Sequence, residues 1–364
     1  MWRYVTQDDV SGSRAAATDA FMLSAYARGG SLPDPTLHIF TYPRNTLLLG
    51  RFQSLSEQVN VQECERSRVA LARRLTGGSA MLMGEEQIAV SLVTCLDHPA
   101  TPATKQEMFH AYGNAICRGL RHLRLDCRLG SLRDLVVGAA KIGTADLIID
   151  PSGAILFQAH VLVDFDPKAV ASLLHFSAGV SAEAAADFLA QRWTTISREK
   201  GGRVQPRLVR DFICTGFEVG FGIEFQQFPV TPLESQYLTQ IEREKFQHES
   251  WLQVRSPTSE MTARSAMQTP GGLLLAFASV SAGRIGRAIL AGDFFGDPES
   301  VAAFESSVQG APLEYDAIRL AAERCLPAGA IEAVDFTDVA QVLWSAVSSP
   351  SAGPYRAGGS SPVA

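Results

Sequence analysis

The chain has 364 residues, 46 % hydrophobic and 19 % charged, a composition that fits a soluble globular protein with a sizeable core and length enough for two domains. Its formal net charge of −6 disfavours wholesale binding to nucleic acid or to an anionic membrane, while leaving room for a local basic site. The six cysteines are scattered with no C-x-x-C pair, which speaks against a zinc site or disulfide framework. No apolar run approaches the ~20 residues of a membrane span, and the N-terminus lacks the apolar core of a signal peptide, so the cytoplasm is expected.

In chain order, "MWRYV" reads as a strand and "SGSRAAATDAFMLSAYARGG" as a helix capped by Ser11 or Ser13 and ended at Gly29–Gly30. "TLHIFTYP" and "TLLLGRF" read as two strands separated at Pro43, and "QVNVQECERSRVALARR" as a short helix running into a strand. A Gly-rich turn leads to a further strand, "QIAVSLVTC", and "TKQEMFHAYGNAICRGLRHLRL" has the apolar spacing of an amphipathic helix. "RDLVVGAAKIGTADLIIDPSGAILFQAHVLVDFD" reads as three strands turning at Gly138 and at 150–153. Residues 167–212 read as mostly helical, and "PLESQYLTQIEREKFQHESW" as one charged helix followed by the linker "RSPTSEM". Beyond it lie a hairpin turning at Ser281-Ala282-Gly283 and helices near 298–309, 314–325 and 336–347, the first with Asp297 as N-cap and Pro298 in its first turn. The Pro/Gly-rich end, 349–364, reads as disordered.

Four features can carry chemistry. In "RRLTGGSAML", residues 73–82, Gly77 and Gly78 bring backbone N–H groups close to a ligand, and either Arg73 or Arg74, alternating on a strand, faces an anion. The same residues also describe a plain strand–strand turn with solvated arginines. Lys141 stands alone in apolar "VVGAAKIGTADLII", either to stabilise developing negative charge or as an edge-strand lysine that discourages aggregation. His160 in an apolar strand is a base or a structural histidine. Cys127 is a nucleophile or an idle thiol.

Taken together these segments resemble the lipoate–protein ligase family, whose catalytic domain is shared with biotin ligases and octanoyltransferases. "AAATDAFML" is similar to the family's first helix, "FTYPRNTLLLGRFQSLSEQVN" to its Pro and Gly-Arg/Tyr-Phe-Gln strand end, "VALARRLTGGSAML" to its Arg-Arg-x-(Ser/Thr)-Gly-Gly-Gly-Ala-Val loop, and "RDLVVGAAK" to the segment ending in its lysine, here Lys141. "GRIGRAILAGDFFGDPESVAAFESSVQGAPLEYDAI" resembles the accessory domain of two-part ligases. The chain departs from the pattern at Ser79, at Met83, after Lys141, and at Phe157-Gln158-Ala159-His160, where relatives have His-His-Gly-Thr.

The resemblance implies an α+β fold with a mixed or antiparallel sheet flanked by helices over residues 1–254, and a small α+β accessory domain over 257–348. It implies ATP-dependent ligation of lipoate or octanoate: the acid is activated as acyl-AMP with ATP and Mg²⁺, then passed to a lysine of a lipoyl-domain or H-protein-like acceptor. In the family's pattern Lys141 is catalytic, and Arg73, Arg74, Thr76, Gly77, Gly78, Ser79, Ala80, Asp134, Gly143, Thr144 and His160 bind the acyl group or nucleotide; no side chain is assigned to a metal, and neither nucleic acid nor membrane is a partner. Two other readings stand beside this one. One is an ATP-independent acyl transferase working through a thioester on Cys127, 14 residues before Lys141. The other is a non-catalytic member that binds an acyl group.

Overall fold

The computed structural model describes residues 1–27, 34–130, 133–176 and 180–348. The expected ends of the first helix at Gly29–Gly30 and the C-terminal tail lie outside them. Its frame is an eight-stranded sheet in the order β11-β1-β2-β6-β10-β9-β8-β7. In chain order these are β1 (Trp2–Gln7), β2 (Thr36–Phe40), β6 (Gln87–Cys95), β7 (Cys127–Leu129), β8 (Asp134–Val137), β9 (Ala140–Ile149), β10 (Ala154–Leu162) and β11 (Phe225–Gln227). β11, β1 and β2 run parallel and every other pairing is antiparallel, so the sheet is mixed. Every residue of β6 and β10 is buried. A run such as "QIAVSLVTC", apolar except for the buried Gln87, Ser91 and Thr94, is what a central strand covered on both faces requires.

One face is covered by the helices Lys105–Arg121 and Pro206–Phe221, which bury Tyr112, Ile116, Ile213 and Phe217 against Leu147, Phe157 and Ala159. The first of them opens on a capping box between Thr104 and Glu107. The two helices cross closely at Gly119 and Gly216, where an added Cβ would come within 2.4 Å of the Phe212 carbonyl oxygen and 2.2 Å of the Ala115 carbonyl oxygen. The other face carries the helix Gly12–Ala27 and a three-stranded sheet in the order β4-β3-β5, made of β3 (Thr46–Leu49), β4 (Ala70–Arg73) and β5 (Met81–Met83).

The C-terminal part is an antiparallel sheet of β12 (Ala263–Thr269), β13 (Gly272–Ser281) and β14 (Arg284–Gly292) with the helices Pro298–Ser307, Tyr315–Cys325 and Phe336–Ser348 in its core. Its hairpin turns on two residues, Ala282 (φ 49°) and Gly283 (φ 70°), the positive-φ pair that suits the strand twist. Phe52, from the larger unit, belongs to this second core. It stacks on Phe294 at 4.6 Å, and its carbonyl accepts from the Gly292 N–H at 2.9 Å. Arg255 fixes the junction further with an ion pair to Glu305 at 2.5 Å.

Four strands escape the sequence reading: β5, β7 and β11, of three residues each, and β12, whose residues are half-buried and show no clean alternation. The charged helix expected over 233–251 is not one helix. Pro232–Ile241 passes into a π turn, Glu242–Phe246, which delivers Phe246 to the core edge-on to Trp251 at 5.1 Å, and Glu249–Leu252 forms a separate turn.

Candidate functional site

Lys141 lies on β9 between β8 and β10, so it is not an edge-strand lysine. Strict alternation from the core residues Leu147 and Ala145 would point it into the core. A β-bulge intervenes: Leu135 pairs with Gly143, but the next residue, Val136, pairs with Lys141. The extra residue, Ile142, is in the core, and Lys141 is turned to the opposite face. There its ammonium meets the Asp134 carboxylate at 2.7 Å. The Lys141 carbonyl accepts from the Thr194 N–H at 2.8 Å, and Lys141 forms a bridge with Trp193, so the lysine is pinned through its backbone as well.

Two chambers meet at this ion pair. Ser79, Asp134, Lys141, Arg192, Trp193, Gln268 and Asp293 line both. One, of about 190 Å³, is polar and holds Arg74, Thr76, Arg133, Thr144, Asp146 and His160. Gly143 also lines it, and a Cβ there would lie 2.5 Å from the His160 carbonyl oxygen. The other, of about 490 Å³, is lined by Ala80, Val170, Leu174, Phe188 and Leu189 together with Gln53, Glu57, Gln58 and His175.

The paired arginines part company. Arg73 is 1 % exposed and donates to the carbonyls of Gly50, Arg51, Gln53, Trp251 and Leu252, tying β4 to the Glu249–Leu252 turn. It lines neither chamber, so the reading that lets either arginine face an anion narrows to Arg74. Arg74 donates to the carbonyls of Leu48, Gly77 and Ser79 and faces the polar chamber. Neither arginine is solvated.

Gly77 and Gly78 line neither chamber. Gly78 has φ +84°, its N–H donates to the Phe294 carbonyl at 3.0 Å, and a Cβ on it would lie 2.6 Å from the Phe295 ring. The bare backbone of this turn is therefore occupied by the C-terminal unit. Beneath the turn a buried polar chain runs from Thr76, which donates to Gln158 Oε1 at 2.8 Å, to Asp19, whose carboxylate accepts from Gln158 Nε2 at 2.6 Å. Burial pushes the Asp19 carboxyl up to about 7. Burial, with Arg74 nearby, holds His160 down to about 3, so its ring is neutral. Becoming a cation beside a buried guanidinium makes it a poor base.

Cys127 faces the wrong way for chemistry at Lys141. It pairs with Val137, while Arg128 pairs with Val136, the partner of Lys141. Its side chain is fully buried in the core, its thiol donating to Cys117 Sγ at 3.1 Å. That hydrogen bond and burial push the Cys127 thiol far up, against thiolate formation. Among the described residues no cysteine lines either chamber.

Several contributors carry no signal in the sequence. Arg133, at φ +68°, is sandwiched between Phe109 (4.3 Å) and Phe295 (4.5 Å) and pairs with Asp146 at 2.5 Å and with Glu332. Gln268, Asp293 and Glu332 come from the C-terminal unit, so the polar chamber is completed by residues 127 to 191 positions beyond Lys141. Among the described residues no three His, Cys, Asp or Glu side chains are grouped to hold a metal ion, and no helix is long and apolar enough to cross a membrane.

Residues 13–218 match the model of the lipoyl protein ligase A/B catalytic domain, over more than half of the chain. Among curated relatives, the octanoyltransferase LipM of Brevibacillus brevis is 24 % identical over 274 residues, covering 69 % of this chain and 98 % of the relative. That of Carboxydothermus hydrogenoformans is 25 % identical over 279 residues, covering 69 % and 98 %. Among solved structures, P. falciparum LipL1 in complex with lipoate shares the fold with a TM-score of 0.70 at 13 % identity, over 89 % of this chain and 94 % of that one. The bipartite lipoate protein ligase of Thermoplasma acidophilum does so with 0.62 at 23 % identity, over 71 % and 98 %. The α+β class expected from the sequence is thus the observed one. The expectation of ATP-dependent ligation is not upheld: the curated relatives are named transferases. The C-terminal unit, which resembles the accessory domain of two-part ligases, stands on a chain whose curated relatives named above are octanoyltransferases.

Proposed function

Because the chain belongs to the lipoyl protein ligase A/B catalytic domain family, and its curated relatives are octanoyltransferases, we propose that it transfers an octanoyl- or lipoyl-type acyl group from a thioester donor to a lysine of a lipoyl-domain or H-protein-like acceptor. The observation that carries this reading is the Lys141 ammonium, held by Asp134 where the two chambers meet. The acceptor amine attacks the thioester carbonyl carbon, and a C–N bond forms as the carbonyl oxygen takes up negative charge. Lys141 stabilises that oxyanion. Collapse breaks the C–S bond, and the amine's proton is taken up by the departing thiolate. The placement of Cys127 supports transfer between carriers without an acyl-enzyme on that thiol. The chemistry needs neither ATP nor Mg²⁺.

The test is to incubate the protein with an octanoyl thioester of an acyl carrier protein and a lipoyl domain, without ATP, and to follow the intact mass of the acceptor. An octanoyl gain on one acceptor lysine is expected. Modification that appears only when ATP and free acid are supplied would overturn the proposal. Acyl binding with no modification in either regime would favour a binding protein.

A further inference from the structure

The proposed reaction brings a second protein to Lys141, and a charged corner of the surface lies beside that lysine. The end of the helix Lys105–Arg121 and the segment after it carry Arg118, Arg121, His122, Arg124 and Arg128, all exposed, and Asp126 is the one acidic residue among positions 118–128. The chain as a whole has a formal net charge of −6, so this corner runs against its balance. Among the described residues none of these four arginines is ion-paired. Arg118 and Arg121, in the last turn, complement the C-terminal end of the helix dipole. Arg124 and Arg128 lie beyond the helix and are not accounted for in that way. Arg124 holds φ +57°, a conformation that costs an arginine strain and a glycine none.

Arg128 joins this corner to the site. It pairs with Val136, and Val136 pairs with Lys141, so the three side chains share one face of the sheet, with ~10 Å, two strand spacings, between the first and the last. The Arg128 guanidinium donates to the Gly138 carbonyl at 3.0 Å, and the next residue, Ala139, is exposed and lines the larger chamber together with Val136 and Lys141. The corner is therefore part of the rim of that chamber. An interface of ordinary size covers ~800 Å² on each partner, a disc roughly 16 Å in radius. A disc of that size centred on Lys141 takes in Arg128. The acceptor's lysine side chain is short, so the body of its domain has to sit over the rim for the amine to enter, and the charge that complements this rim is negative.

We propose that Arg118, Arg121, His122, Arg124 and Arg128 form the docking surface for the acceptor domain, which meets them with an acidic face beside its target lysine. The inference rests on the proposed transfer to a protein lysine, but its test reads binding with no acyl donor present, so the two can fail separately. The probe is an unmodified lipoyl domain of net negative charge, titrated into the full chain by calorimetry at about 0.05 M and about 0.3 M salt. Binding should weaken at the higher salt, as charge pairing across a rim requires. The double variant Arg124→Gly/Arg128→Gln removes two charges, the first in favour of the residue that its backbone prefers. It should raise Kd about tenfold at the lower salt and reduce the salt dependence, with a melting temperature no lower than that of the wild type. Arg319→Gln, on the helix Tyr315–Cys325 of the C-terminal unit, should bind as the wild type does. Equal Kd and salt dependence in the double variant and the wild type, an equal loss in Arg319→Gln, or no binding of the domain at all would overturn the proposal. So would tight binding of a single-stranded oligonucleotide that the double variant abolishes, which would give the corner to nucleic acid. Transfer that persists while the double variant binds normally sinks the surface and leaves the reaction; salt-sensitive docking without transfer does the reverse.

Discussion

Replacing Asp19 with Asn tests the electrostatics beneath the Gly-rich turn. Burial raises the Asp19 carboxyl from 3.8 to about 7 despite the hydrogen bond from Gln158. A carboxyl whose folded pKa lies above its unfolded value contributes stability that is complete below the unfolded pKa and lost as pH rises through the folded one. Between those limits the unfolded chain has released a proton that the folded chain still holds, so stability falls by about 1.4 kcal/mol per pH unit, roughly 4 kcal/mol in all by pH 8. Asn is neutral at every pH, and its carbonyl can still accept from Gln158. Asp19→Asn should therefore be the more stable protein at pH 8, and the gap should shrink by roughly 2–3 kcal/mol at pH 5. Any pH-independent effect of the amide cancels in that comparison. Urea unfolding of both proteins at pH 5 and pH 8, followed by far-UV circular dichroism, measures it. A gap that is the same at both pH values, or larger at pH 5, would refute the assignment of Asp19 as a buried, neutral carboxyl.

Lys141→Ala should leave the melting temperature nearly unchanged and lower acyl transfer on the order of 10²–10³-fold, the usual loss for an oxyanion donor; near wild-type turnover removes Lys141 from the mechanism. Cys127→Ser should retain most of the transfer activity, whereas loss of activity together with an octanoyl adduct on Cys127 in the wild type would restore the thioester route. Gly78→Val should act on the seating of the C-terminal unit, since both its φ of +84° and the Phe295 ring oppose a side chain. The backbone conformation alone costs about 1–2 kcal/mol, and faster proteolysis between 253 and 262 is the readout, unchanged cleavage counting against the docking role. Burial holds His38 down to about 3, with both ring nitrogens unpartnered. Stability from its neutral form is complete above pH 6.5 and is lost as pH falls toward 3, so His38→Phe should flatten the acid limb of the stability–pH curve.

Local pattern determined a good deal by itself. The nine-residue run of β6 and the apolar stripe of the helix Lys105–Arg121 are set by side-chain periodicity, and the Ala282-Gly283 hairpin by the need for two positive φ values. The Gly-rich turn and the isolated lysine were also legible, because a glycine pair and a lone cation in an apolar strand are anomalies that composition alone exposes. What those residues face was not. Counting by twos along β9 sends Lys141 into the core, and one inserted residue, Ile142, reverses it. The spacing of Cys127 from Lys141 looks suitable in one dimension, yet the sheet puts the two side chains on opposite faces. Likewise the glycines, read as making room for a ligand, make room for Phe294 and Phe295, more than 200 residues away. Sequence fixes which segments bury themselves, since that follows from neighbours three or four residues apart. Which face a functional side chain takes depends on a bulge and on contacts between distant segments, and these exist only once the chain has folded.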